Sequence, residues 1–571
     1  MSVEVTQERQ TGKIGYYNIA VVVVALLVVF LVAYPIGRML LRAFVVNGEL
    51  RIAEAFSIFG VAWLPGVLRD TSLMVVLTAV GALFVGSSLA WLNERTDANL
   101  GMIGVILPVI PLFIPGVALA IGWVFLAAPR VGYINGFLAS LPLVGRDGLG
   151  WSVNIYSWAG LVWVYVLNAV PAVYLVVSAA LRNVNPQLEE ASRISGAGVW
   201  RTFRKVSLPV IRPALLAAAL LTVISTFALF SIPTIIASSA GIDMMPVRIV
   251  RLLRNEFPPQ MGYAIALSLI MLVIVGLAWW LHRRAAKAGR FVAVGGKAAA
   301  GARVALGVWR RPLQVVMIAY LACASLLPLL ALLIVALQPF WTATINPAVF
   351  TLRNFHMVLF ENRLTIAAFQ NSLILSVVGA TIAMAMAAVI AIYTSRRANL
   401  LSTVADGVLK WPATIPNLII ALGFLVAFSG PPFYLAGTVL LLLLAMIIIY
   451  IPTGSIAANS AVSQVGRDLI EASHVNGAGE GRTVRRIIVP LSMPGLVAGW
   501  TLVYVHMMGD LSAAALLAGI NNPVIGFAIL ETWENGSFGL LAAFSSLMVA
   551  VISIVVILTI SFFGLRGFRR G

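Results

Sequence analysis

Ionisable and nucleophilic side chains set the chemistry open to this chain, and they are few. Its 571 residues hold 4 His, 1 Cys and 20 Asp and Glu. Cys323 stands alone inside an apolar run, so an intrachain disulfide, a CxxC redox pair and a cysteine zinc site are all excluded. His282, His356, His474 and His506 are too scattered to suggest a metal cluster. There is no G-x-x-x-x-G-K-[ST] stretch, so no P-loop nucleotide site is expected on this chain. No Ser-His-Asp set, paired carboxylates or filter motif stands out, which leaves neither an enzyme nor a channel with visible machinery. The closely spaced ionisable pair in an apolar run is His506 and Asp510, at i and i+4, which on one helix would share a face. Charges in hydrocarbon face a cavity or a neighbouring helix, so this pair serves either a pathway or helix packing.

A second pattern occurs twice. Glu190-Ala191-Ser192-Arg193-Ile194-Ser195-Gly196 is followed after nine residues by Val206-Ser207-Leu208-Pro209. Glu471-Ala472-Ser473-His474-Val475-Asn476-Gly477 is followed after nine by Ile487-Ile488-Val489-Pro490. Over 190–215 and 471–496, twelve of 26 positions are identical, where unrelated segments share about one or two. In the first copy Asn185 reads as an N-cap, Pro186 as the first helical residue, and Glu189 and Glu190 suit the positive end of the helix dipole. Gly196 and Gly198 end that helix. A second short helix carries Trp200, Arg201, Phe203, Arg204 and Lys205, and Pro209 with Pro213 returns the chain to the membrane. Arg482 and Arg485 occupy the corresponding places in the second copy. An interfacial helix touching anionic lipid is the plain reading of such a segment. Lipid does not require the same Glu, Gly and Pro spacing twice, and a twofold partner docking on both loops does.

The elements that position these loops are membrane spans. The chain is 61% apolar and 10% charged, against about 25% charged in a soluble domain. Uncharged stretches long enough to cross about 30 Å of hydrocarbon fall near 17–40, 71–92, 101–127, 156–181, 212–236, 261–282, 313–338, 371–394, 401–428, 433–458, 495–518 and 540–565. The first is long, contains Pro35 and lacks an A-x-A-like site before Arg38, so it reads as a span and not as a cleaved signal. With the N-terminus in the cytoplasm, 26 Lys and Arg lie on the cytoplasmic side and 11 on the other, with Lys410 inside a span. This bias places both termini in the cytoplasm. The same dispersal over seven segments argues against a nucleic-acid patch.

The spans repeat. Thr71-Ser72-Leu73 returns as Asn371-Ser372-Leu373 and Ala98-Asn99-Leu100 as Ala398-Asn399-Leu400, at an offset of 300. Pro111, Pro115 and Gly122 match Pro412, Pro416 and Gly423 at 301, and the paired loops match at 281. Two halves of six spans follow, running in parallel: 1–283, a basic cytoplasmic linker at 284–311, and 312–571. An even number per half disfavours the inverted repeats of many secondary transporters. The paired prolines should kink or unwind the third and ninth spans, and broken helices at corresponding positions often flank a pathway, which makes Pro115 and Pro416 candidate pathway residues. Trp279, Trp280 and Trp309 read as interfacial anchors.

The pattern E-A-A, three residues, Gly, nine residues, I-x-L-P resembles the EAA loop of the permease subunits of ABC-type importers. Glu190, Ala191, Gly196, Leu208 and Pro209 match it in the first half, and Glu471, Ala472, Gly477 and Pro490 in the second; Ser192 and Ser473 replace its third residue, and Val489 its usual Leu. Ala90-Trp91-Leu92 with Glu94-Arg95-Thr96-Asp97, Gly289-Arg290-Phe291 with Val294-Gly295-Gly296-Lys297, Phe350-Thr351-Leu352-Arg353-Asn354-Phe355, and Trp533-Glu534-Asn535-Gly536 with Phe538-Gly539 extend the likeness to the fused iron(III)-type permeases. The resemblance implies an all-α polytopic membrane protein of the type I importer permease fold, in a bacterial inner membrane. It implies no cofactor on this chain, with ATP and Mg held by two copies of a cytoplasmic ATPase subunit seated on the loops. An extracytoplasmic binding protein would deliver iron(III), or alternatively thiamine, a polyamine or an organophosphonate; an ion-coupled secondary carrier is the alternative from another class. Members of the iron(III) type often carry Glu where Thr226 stands here, flanked by Ser225 and followed by Ser231, so an acidic ring is not expected in this chain.

Overall fold

The computed structural model describes residues 16–46, 49–50, 56–101, 104, 108–141, 151–289, 303–397 and 399–564. The middle of the basic linker, Arg146, Ala398 and both chain ends lie outside the described residues. In hydrocarbon a chain must satisfy its own backbone hydrogen bonds, so long apolar runs become helices. Among the described residues ten helices are long and apolar enough to cross a bilayer: Tyr17–Phe44, Leu64–Arg95, Trp158–Asn183, Val199–Ala228 and Met261–Arg284, then Gly307–Leu337, Arg363–Arg396, Val439–Ser463, Glu480–Met508 and Phe538–Phe562. Their strand content is one ladder, Val45–Val46 against Glu49–Leu50, and one isolated parallel bridge between Thr96 and Val304.

The stretches read as the third and ninth spans are broken at the paired prolines, and the first of them shows only a short apolar helix among the described residues. Leu400–Lys410 and a 3-10 turn at Trp411–Thr414 lead through Pro416 into Asn417–Phe428, with a 98° bend. In the first half a 3-10 turn at Ile110–Phe113 leads through Pro115 into Gly116–Ala127. A proline donates no N–H and crowds the preceding turn, which accounts for the breaks. Two further breaks differ from the spans read at 212–236 and 495–518. The first helix stops at Ala228 and a short one resumes at Ser231–Ile235; the second stops at Met508 and resumes at Ser512–Leu517. Apolarity alone runs through these breaks without marking them.

Several helices also outrun their apolar stretch. Leu64–Arg95 starts before Arg69 and Asp70, and the fifth span begins at Val199, so the second short helix expected in each loop is continuous with the span that follows it. π-Turns at Phe203–Ser207 and Val484–Ile488 carry the helix past Pro209 and Pro490, with Leu208 N–H donating to Phe203 O and Val489 N–H to Val484 O. The wider turn fits a place where proline leaves the carbonyl four residues earlier without its helical donor.

The first span of each half packs on the broken span of the other half. Pro35, in Tyr17–Phe44, lies on Gly423, where an added Cβ would be 3.2 Å from the proline Cβ. Reciprocally, Pro328, in Gly307–Leu337, lies on Gly122, where an added Cβ would be 2.6 Å from its Cβ and from its carbonyl oxygen. Polar ties follow the same exchange: Tyr17 Oη donates to Val389 O at 2.8 Å, Trp123 Nε1 to Cys323 O at 3.2 Å and Tyr133 Oη to Gln338 Oε1 at 2.6 Å. Phe30 and Tyr34 pack edge-on or tilted against Phe428 and Phe433.

Gly122 makes this exchange testable. Gly122→Val must displace proline backbone, and overpacking of this kind costs about 1–3 kcal/mol; the detergent-solubilised variant should melt several degrees below wild type. Gly276→Val, in a helix position with open space around it, should melt like wild type, and equal melting of the two variants would contradict the packing.

Candidate functional site

The two repeated loops form the same object twice. Pro186–Ile194 is capped by Asn185, whose side chain accepts from Gln187 N–H, as expected. Its far end closes through Gly196 at φ +81: Gly196 N–H donates to Arg193 O and Ala197 N–H to Ser192 O. Arg467–Val475 closes identically, with Gly477 at φ +76, its N–H on His474 O, and Ala478 N–H on Ser473 O. These are paired Schellman closures, which need a left-handed residue at the first position past the cap. Gly198 and Gly479 then cap the following helix rather than ending the first.

The third residue of each motif has a job the sequence reading treated as a departure from pattern. Ser192 Oγ meets Thr202 Oγ1 at 3.0 Å, and Ser473 Oγ meets Thr483 Oγ1 at 2.9 Å. Each hydroxyl pair locks the first helix of the loop to the second across the glycine turn. Thr202 and Thr483 were legible only as one of the identities between the loops. The loops also hold exposed apolar side chains at matching positions: Ile194 is 88% exposed and Val475, its counterpart, 87%, while Leu188 and Leu469, just before the aligned stretch, are about half exposed, 50% and 51%. Arg201, Arg204, Arg482, Arg485, Ala191, Ala472, Glu471, Pro209 and Pro490 are exposed, and Glu190 and Leu208 half-buried. Each loop therefore presents an apolar tip ringed by basic residues, held rigid from behind.

An arginine at the end of the second helix of each half ties the loop down. Arg95 donates to Leu181 O at 2.6 Å and Val184 O at 3.0 Å, and its Nε lies 3.7 Å from Glu189, which accepts from Ser207 Oγ at 2.7 Å. Arg396, with Arg397, instead reaches Glu480, at 3.6 and 3.3 Å. In the first half the tie extends to the linker: Val304 N–H donates to Arg95 O, Asp97 N–H to Val304 O, and Leu306 N–H to Asp97 Oδ1, at 2.9 to 3.0 Å. Among the described residues, aromatic packing is found on the first loop and not on the second, with Trp91 and Trp200 both contacting Phe203.

The pathway candidates come together where the helices break. His506 and Asp510 do not share a helical face: the helix ends at Met508, and Asp510 lies beyond Gly509. It is buried, and caps the next short helix by accepting from Ser512 N–H at 3.2 Å and Ala513 N–H at 2.9 Å. Tyr450 joins the two residues, donating its hydroxyl to Asp510 Oδ1 at 3.0 Å while its ring stacks on His506. Pro115 of the first half lies against Gly509, where a Cβ would be 2.8 Å from its ring. Gly116 abuts Ser231, and Thr226 is buried in the last turn of its helix. Tyr450 was not legible as a site residue because it carries no charge.

Comparison with known proteins extends this geometry. The family model of the binding-protein-dependent transport system inner membrane component matches residues 82–287 and again 379–568. The ferric transport system permease protein FbpB of Actinobacillus pleuropneumoniae is 23% identical over 548 residues, 94% of this chain and 77% of that protein. The ABC transporter permease protein y4fN of Sinorhizobium fredii is 29% identical over 434 residues, 74% of each chain. The diacetylchitobiose uptake system permease protein DasB of Streptomyces coelicolor is 35% identical over 173 residues, 28% of this chain and 48% of that one.

Replacing Asp510 separates capping from other roles. Asp510→Ala removes a cap worth about 1 kcal/mol and leaves buried donors whose desolvation costs about 1–3 kcal/mol, so its melting temperature should fall by several degrees. Asp510→Asn keeps one accepting oxygen but turns an amide N–H toward a remaining donor, so it should melt between the alanine variant and wild type. An alanine variant as stable as wild type would contradict the capping role.

Proposed function

This chain belongs to the family of binding-protein-dependent transport system inner membrane components, and we propose that it imports iron(III) as the pathway-forming subunit of an ATP-driven transporter. The observation that carries the coupling role is the pair of loops with identical glycine closures, identical hydroxyl locks and an exposed apolar tip at the same position. Twofold-related sockets on two identical ATPase subunits would receive such tips. ATP would be bound and split there, with no cofactor on this chain. The charge bias supports placing the loops, the linker and both termini in the cytoplasm of a bacterial cell, and the opposite face outside, where a binding protein would deliver cargo.

Closure of the ATPase pair would draw the two loops together. Each loop is rigid and continuous through its π-turn with a span that ends at the mid-chain breaks, so a displacement at Ile194 or Val475 is carried to Thr226 or to His506. The broken spans, Pro115 with Gly116 and Pro416 with Asn417, lie against those ends and would open and close the pathway as the halves rock. Iron(III) is favoured by the relative that covers nearly the whole chain; likeness to a sugar system is limited to a shorter stretch. His506, Asp510 and Tyr450 would touch a passing cation without caging it, as release requires.

Gly196→Val and Gly477→Val test the docking role. A β-branched side chain at positive φ costs about 1–2 kcal/mol per residue, enough to unmake the closure and shift the tip. Each variant should accumulate in the membrane, retain several-fold less ATPase subunit on an affinity column, and transport correspondingly less. Undiminished ATPase retention and transport in both variants would return the loops to lipid contact.

A further inference from the structure

On the face opposite the loops, two helices of ten residues occupy equivalent places. Met245–Arg254 begins with Met245 N–H donating to Thr71 Oγ1 at 3.0 Å, and Ile525–Glu534 with Ile525 N–H donating to Ser372 Oγ at 2.7 Å. The shared anchor fixes their register at an offset of 280, and aligns Thr71 with Ser372 at 301 rather than 300. Met245–Arg254 buries Val247, Ile249, Val250 and Leu252, and Ile525–Glu534 is buried from Ile525 through Leu530 and at Thr532, so each opens to its surroundings in its last turn.

Their polar faces carry opposite charge at the same positions. Arg251 corresponds to Glu531 and Arg254 to Glu534. Arg254 and Glu534 are exposed, and among the described residues neither has an ion-pair partner. The guanidinium of Arg254 lies over the Phe527 ring at 5.5 Å, so the first helix ends on the second, where the halves meet. Arg248 and Arg251 are steadied by Asp243 at 3.4 and 3.7 Å, and Arg248 also covers the Trp63 ring. A parallel repeat offers a two-lobed partner two seats related by a half-turn. Opposite charges at equivalent positions remove that degeneracy, because like charges facing one another disfavour the wrong seat. Lipid headgroups do not account for the pattern, since anionic lipid would satisfy the arginines and repel the glutamates.

We propose that these two helices select the docking orientation of the extracytoplasmic binding protein, one lobe presenting an acidic edge to Met245–Arg254 and the other a basic edge to Ile525–Glu534. This rests on the importer reading above. Two measurements on the complete transporter in nanodiscs with its binding protein test it. A photo-crosslinking residue replacing Asn255 should capture one lobe of the binding protein, and the same residue replacing Asn535, its counterpart, the other lobe. In parallel, Arg254→Glu and Glu534→Arg should each raise the binding-protein concentration giving half-maximal stimulation of ATP hydrolysis about tenfold at low salt, and less at high salt, since exposed charges are screened. Capture of both lobes from each position, or half-maximal concentrations within twofold of wild type in both charge reversals, would overturn the proposal. A wild-type complex that the binding protein does not stimulate would instead overturn the importer reading beneath it.

Discussion

Hydrocarbon offers a backbone no water, and this constraint shapes the rest of the molecule. A spanning chain must be helical wherever lipid touches it, and may depart from helix only where protein covers it. Here the departures fall at Pro115, Pro416, Leu229 to Phe230 and Gly509 to Leu511, and each is covered by another segment. Pro115 meets Gly509 across the halves, Asp510 supplies acceptors for the freed N–H groups of the next helix, and Gly526 closes on Asp510 O. The exchanged first spans cover the outer sides of the broken helices, Pro328 on Gly122 and Pro35 on Gly423. Irregular backbone is thereby gathered at the junction of the halves, where polar groups can line a pathway without facing lipid.

The loops solve a different problem, which is to hold an exposed apolar residue still. Ile194 and Val475 gain nothing from burial within the chain and are fixed only by the backbone around them. The Schellman closure, the Ser–Thr hydroxyl pair and an arginine from the second helix of each half supply that rigidity in both halves. The means differ in detail. The first loop adds Trp91, Phe203 and the Glu189–Ser207 hydrogen bond, where the second has Val484, Ile470 and Ile488 at the corresponding positions. The linker strand at Val304 also joins the first loop's support, so the segment leading into the seventh span is tied to the base of the first half's loop.

How much of this the residues disclose depends on the kind of information involved. Membrane class, the parallel repeat and the paired loops rest on run length, charge placement and identities, all of which are local or periodic. The proline breaks were legible because proline acts on its own backbone. The breaks after Ala228 and Met508 were not, because no residue there forbids helix and the cause lies in neighbouring segments. His506 and Asp510 show the limit most clearly. Their spacing implied a shared face, but the helix ends between them, and Asp510 is instead engaged by Tyr450 and by the N-terminus of the next helix. The exchange of first spans was equally hidden, since Pro35 and Pro328 say nothing in sequence about Gly423 and Gly122.

ATP-driven movement relayed through two loops is the centre of this account, and uptake into sealed proteoliposomes tests it most directly. With the ATPase subunit in the complex and the iron(III)-loaded binding protein on the opposite side, radioactive iron should cross only when ATP is supplied on the loop side. A proton gradient without ATP should give no uptake above background. Uptake driven by the gradient alone, undiminished by omission of ATP, would contradict the account.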